Sequence, residues 1–143
     1  MKKLLLIFAL SCWHLSALEV RSTLKIYHDL FASLLHKSHY TIYTDDKELY
    51  RIFSKSSNIS LVQTPSSADA LIISKKSSLK YIPHSGRAII LATKYSLLHH
   101  SKNIIGAFYW RKGRAQLLFI KKRLKRLGIS IPAKYLKYTV NAL

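Results

Sequence analysis

Apolar positions in this chain alternate between two periods, and the alternation predicts a layered fold. Val20, Leu24, Tyr27, Phe31, Leu34 and Leu35 follow one another at steps of 4, 3, 4, 3 and 1. That spacing places them on one stripe of a helix of about 17 residues. The next segment, His39-Tyr40-Thr41-Ile42-Tyr43-Thr44, is β-branched and aromatic and reads as a strand. Asp45 follows as a helix cap, with Glu48 three residues on in a capping-box pattern, and Leu49, Ile52 and Phe53 supply the buried side. Ile59 to Val62 is a short strand, and Thr64-Pro65-Ser66-Ser67 is a turn. The runs Ala70-Leu71-Ile72-Ile73 and Ala88-Ile89-Ile90-Leu91-Ala92 have no polar alternation, as suits interior strands covered on both sides. Between the second run and the next strand, Thr93 can cap a short helix through Leu97 and Leu98.

Nearer the end the rhythm changes. Ile105 to Trp110 and Ala115 to Ile120 flank Arg111-Lys112-Gly113-Arg114 as the two arms of a hairpin, with Gly113 at the turn. Ile120, Leu124 and Leu127 then mark a basic helix that Gly128 stops, and Pro132 opens a final helix carrying Tyr135, Leu136 and Val140. The expected fold is therefore α/β. It is one layered domain whose mixed sheet has about five strands, parallel inside and closed by a C-terminal antiparallel hairpin, with helices on both faces.

The first residues carry a different signal. Lys2 and Lys3 precede the uncharged run Leu4–Leu10, and Leu15-Ser16-Ala17 ends in a small residue. This is the pattern of an export signal covering residues 1–17, and it is far shorter than the roughly 20 apolar residues that span a bilayer. The expectation is a periplasmic chain of residues 18–143. Lipid attachment at Cys12 and retention of the segment as an anchor are the alternatives. Cys12 is the only cysteine, so cleavage after Ala17 leaves no disulfide, no zinc–cysteine site and no thiol chemistry.

Charge sharpens the expectation about partners. Among 143 residues, 24 Lys and Arg face 6 acids, for a net charge of +18. All the acids (Glu19, Asp29, Asp45, Asp46, Glu48 and Asp69) precede residue 70, so the second half cannot neutralise itself. Such a surface attracts an acidic protein face or an anionic membrane. Export makes nucleic acid the least suited partner. Tyr109, Trp110, Arg111, Lys112 and Arg114 at the hairpin, with Lys121, Lys122, Arg123, Lys125 and Arg126 on the helix after it, are the candidate docking residues, joined in one basic face. The competing reading is that the rings cover the sheet and the charges keep its edge soluble.

Catalytic patterns are missing. The chain has no nucleophile elbow, no glycine-rich phosphate loop among its four glycines and no His-Glu-x-x-His, so no catalytic residue, cofactor or metal is assigned. His99 and His100 are adjacent and would point about 100° apart on a helix, which argues against a shared ion. Asp69, just before an interior strand, suits a hydrogen bond at the strand start. The alternative to docking is a receptor for a small anionic ligand, with Thr44, Ser74, Lys75 and Thr93 lining a cleft at the carboxyl ends of the strands.

The segments Ala68–Ser74, Arg87–Tyr95 and Gly106-Ala107-Phe108-Tyr109-Trp110-Arg111-Lys112-Gly113-Arg114, with the basic helix that follows, resemble a family of small exported bacterial α/β proteins with no assigned activity. More distantly, the order of elements is similar to YfiR-like periplasmic proteins. That resemblance implies a module that binds and restrains the periplasmic part of a membrane signalling enzyme. The cysteines of the best-known YfiR-like proteins are absent here, and the hairpin is more basic.

Overall fold

The computed structural model describes residues 2–84 and 87–143, with side chains from Glu19 onward. The expected signal segment 1–17, Cys12 included, lies outside the residues whose side chains are described. Helix α1 (Lys2–Leu35) ends with the amphipathic stretch read from the sequence. Tyr27, Leu30, Phe31 and Leu34 are buried there, because 3.6-residue spacing brings them onto one side. Strand β1 (Tyr40–Thr44) leads to α2 (Lys47–Phe53), and β2 (Ile59–Leu61), β3 (Ala70–Ile73) and β4 (Ile89–Ala92) follow. The chain then forms the hairpin β5 (Gly106–Arg111) and β6 (Arg114–Ile120), the helix α3 (Lys121–Arg126) and β7 (Thr139–Val140).

One seven-stranded sheet runs in the order β2-β1-β3-β4-β5-β6-β7. Strands β1 to β5 are parallel, β6 is antiparallel to β5, and β7 is parallel to β6. The fold is thus α/β with a mixed sheet, as expected, although with seven strands rather than about five. The short edge strand β2 was read from the sequence at Ile59 to Val62, whereas the two-residue edge strand β7 was not. Val140, expected on a final helix, lies in β7, and the segment after Pro132 is a 3-10 helix (Ala133–Tyr138) that leaves Leu136 exposed.

Every residue of β3 and β4 is buried, which explains their unbroken apolar runs. Ala70, Ile72, Ile89 and Leu91 face Tyr27, Phe31, Ile52, Phe53 and Leu124 from the three α-helices. Leu71, Ile73, Ile90 and Ala92 face Ile82, Leu97, Leu98 and Ile104. This second layer is built from the 3-10 helices Lys76–Tyr81 and Tyr95–His99 with the loops around them. Among the described residues no helix is long and apolar enough to cross a membrane.

Local caps differ from the sequence expectation in two places. Asp46, not Asp45, caps α2, its Oδ1 accepting from the Glu48 and Leu49 N–H groups at 2.9 and 3.1 Å. Thr93 caps nothing: the residue before the 3-10 helix is Lys94, with no side-chain hydrogen bond to the helix. At the hairpin, Arg111 pairs with Arg114 across a two-residue turn in which Lys112 and Gly113 both have positive φ, 50° and 73°. Those are the angles of a type I′ turn, whose twist matches that of the strands.

Asp69 has the structural role its position suggested. It accepts from the Thr41 N–H at 2.9 Å, the Thr41 hydroxyl at 3.2 Å and the Lys37 ammonium at 2.8 Å. Burial acts to raise its carboxyl, but the Lys37 and Thr41 hydrogen bonds outweigh it and hold the group below the usual carboxylate range. A depressed folded-state value stabilises the fold above the unfolded value, about 4, and that stabilisation is lost as pH falls through the folded value. Asp69→Asn should therefore be less stable than the native chain by about 1–2 kcal/mol at neutral pH. Urea unfolding of both from pH 7 to pH 2 should show the gap closing below about pH 4. A gap that stays constant through that range contradicts the assignment.

Candidate functional site

The parallel strands give the molecule two chemically distinct ends. At the amino end of β4 and β5, α3 follows directly from β6 and meets the loop that precedes β5. Arg123 donates from Nη1 to the carbonyl oxygens of Ser101 at 2.9 Å and Ile104 at 2.8 Å, and from Nη2 to that of Leu98 at 2.7 Å. Arg126 donates to the Lys102 carbonyl oxygen. Burial, with the Arg126 guanidinium nearby, lowers the proton affinity of Arg123, although an arginine stays charged. These two residues, expected to face a partner, are instead engaged within the chain and brace α3 on the loop. Lys121, Lys122 and Lys125 remain exposed on the same helix.

The hairpin tip lies at the other end. Strand β6 spans seven residues, and at about 3.4 Å per residue it puts roughly 24 Å between Arg114 and Lys121. The hairpin and α3 therefore do not form the one basic face that the sequence suggested. Arg111, Lys112 and Arg114 are exposed at the tip. The two rings there diverge, because consecutive strand residues point to opposite sides. Tyr109 packs near Tyr95, ring centroids 6.1 Å apart, whereas Trp110 is 57% exposed.

The four residues of the alternative ligand cleft all lie at the carboxyl ends of strands, but the crevice between β1 and β3 has its own occupant. Asp45 accepts from the Ser74 N–H and hydroxyl at 2.7 and 2.8 Å and from the Lys75 N–H at 3.0 Å. Its carboxylate sits where a bound anion would, so these donors are taken. Thr44 is also engaged, its Oγ1 accepting from the Asp46 N–H at 3.2 Å. Thr93 alone of the four lines a larger cleft nearby.

That cleft has a volume of about 250 Å³ and lies between α1, the start of α2 and the end of β5. Glu19, Asp46 and Glu48 line it together with Tyr27, Phe108 and Trp110. No protein-family model matches this chain, and no curated protein matches it significantly. The geometry therefore carries the functional reading.

Sequence reasoning passed over this convergence. Glu48 was legible as a helix-start residue, with the cap given to Asp45, and the crowding of all acids before residue 70 was the only hint that carboxylates gather anywhere. Glu19 is 27 residues from Asp46, and nothing in their separation announces that they share a cleft. Among the described residues no group of three or more His, Cys, Asp and Glu has the geometry to hold a metal ion, and the His99 ring packs edge-on against Tyr95.

Proposed function

We propose that this chain is an exported, non-enzymatic adaptor whose basic surface at the α3 end docks the acidic face of a partner protein. The observation that carries the reading is the combination on α3 of braced and free cations. Arg123 and Arg126 hold the helix against the preceding loop, while Lys121, Lys122 and Lys125 stay exposed with no carboxylate within 4 Å among the described residues. A helix already held in place does not have to be ordered on association, and its exposed like charges raise the rate of encounter with an opposite charge. The export-like first residues support a periplasmic setting. The likeness to YfiR-like proteins supports a partner in a membrane signalling protein.

The reading predicts a salt-sensitive complex. Raising salt from 0.1 M to 1 M shortens the Debye length from about 10 Å to about 3 Å and should release the partner from the tagged protein in envelope extracts. Lys121→Glu combined with Lys122→Glu and Lys125→Glu should abolish capture of the same acidic protein. Arg111→Ser with Lys112→Ser and Arg114→Ser, at the far end of β6, should not. Sedimentation with phosphatidylglycerol vesicles distinguishes a lipid surface from a protein: vesicle binding that the α3 variant loses would replace the protein partner with the membrane. Capture indifferent to both salt and the α3 variant would overturn docking altogether.

A further inference from the structure

The cleft at the carboxyl end of the sheet has a charge opposite to that of the molecule around it. Glu19 from α1 meets Asp46 and Glu48 from the start of α2, and Arg51 is the one basic residue on the described lining. Three carboxylates against one guanidinium leave two negative charges. In a chain with 24 lysines and arginines, none lies within 4 Å of these carboxylates among the described residues, where the single ion pair is Lys37 with Asp69. Asp46 uses only Oδ1 to cap α2, so Oδ2 is left without a hydrogen bond among the described residues.

A second observation at the same place points to a ligand. The Tyr27 ring is fixed in the core, edge-on to Phe53 at 5.2 Å and to Phe108 at 5.1 Å. The residue is only 2% exposed, yet no described residue hydrogen-bonds its hydroxyl. No described polar side-chain atom is both sealed from solvent and unpaired, so this hydroxyl opens onto the cleft that Tyr27 lines. A buried tyrosine hydroxyl ordinarily has a partner, and here the hydroxyl faces the cleft that Tyr27 lines.

We propose that this cleft binds a short alkyl diamine, one ammonium group drawn to Glu19 and the other to Asp46 and Glu48. The Tyr27 hydroxyl accepts a hydrogen bond from an ammonium N–H, and the Phe108 and Trp110 rings cover the methylene chain and attract the cations through their faces. The size agrees. A volume of about 250 Å³ has room for a chain of four or five carbons with two nitrogens. Two positive charges match the uncompensated charge of the lining, and a monoamine would leave one carboxylate unpaired. The site lies at the opposite end of the sheet from α3 and does not depend on docking there.

Calorimetric titration tests the proposal on the full 143-residue chain, in which residue 18 carries no free amino group beside Glu19, at physiological salt. The probes are 1,4-diaminobutane, 1,5-diaminopentane, n-butylamine and glutarate. The diamines should bind saturably, n-butylamine about tenfold more weakly, and glutarate not at all. Glu19→Gln combined with Glu48→Gln should weaken diamine binding by at least about tenfold. Tyr27→Phe should weaken it about fivefold, with melting temperature following whether the core survives the change. Asp46→Asn keeps an oxygen for the cap and separates loss of charge from loss of α2. The proposal is overturned by diamines giving no saturable heat at millimolar concentration. It is equally overturned by an affinity that the Glu19→Gln/Glu48→Gln protein, folded by circular dichroism, retains in full.

Discussion

Replacing Arg123 with methionine should lower the unfolding free energy by about 3 kcal/mol, the larger part of it from carbonyl oxygens left without donors. The guanidinium satisfies three backbone acceptors, at Leu98, Ser101 and Ile104, and ties them to one helix. Hydrogen bonds from a charged donor contribute more than neutral ones, and a methionine fills the volume while supplying none. Arg123→Lys should recover only part of the loss, because one ammonium cannot reproduce the two-nitrogen fork that reaches separate carbonyls. In a domain of this size the methionine variant should melt roughly 10 °C lower. Amide exchange should accelerate most over residues 98–105, the loop that α3 clamps. A loss under about 0.5 kcal/mol would mean that water replaces the guanidinium without cost.

Gly106→Ala should be at least as damaging, with a cost of about 3 kcal/mol or more. Gly106 opens β5 and pairs with Phe119 of β6. A Cβ there would land on the Leu118 carbonyl oxygen and lie 2.9 Å from Phe119 Cδ1. The obstacle is backbone, so no rotamer change relieves it: β6 must move away from β5, and it carries α3 with it. Phe119 is fully buried and packs against Tyr135, ring centroids 6.2 Å apart, so that movement also disturbs the α-helical side of the core. Urea unfolding of the alanine variant measures the cost, and near-ultraviolet circular dichroism tests whether the aromatic packing shifts. A variant as stable as the native chain would show that the two strands do not approach so closely. Gly113 offers the contrast. A methyl group added there would find nothing within 4 Å, but φ is 73°, so alanine meets backbone strain alone, about 1 kcal/mol.

The two variants probe features of different legibility. Gly106 lay within the strand read from Ile105 to Trp110, but its close approach to Leu118 depends on a partner strand. Arg123 is one cation in Lys121-Lys122-Arg123-Leu124-Lys125-Arg126, and nothing in that run separates it from its neighbours. Its direction follows from Leu124, whose burial turns the helix so that Arg123 reaches the loop and Lys121, Lys122 and Lys125 reach water. Asp45 and Asp46 make the same point: either could cap α2, and the choice went to Asp46 because the Ser74 and Lys75 N–H groups hold Asp45.

Periodicity alone was enough for α1's buried stripe, the interior strands β3 and β4, the hairpin and the α/β class, because each depends on contacts a few residues apart or on burial on both sides. The seventh strand, the separation of the basic hairpin from basic α3, and the meeting of Glu19 with Asp46 and Glu48 came from assembly. A strand's length sets how far apart its two ends lie, and strand order sets which loops meet. Neither distance is encoded in local composition. The chain's excess of positive charge was therefore plain in its residues, whereas its division into a cationic end and an acidic cleft arose only when the sheet closed.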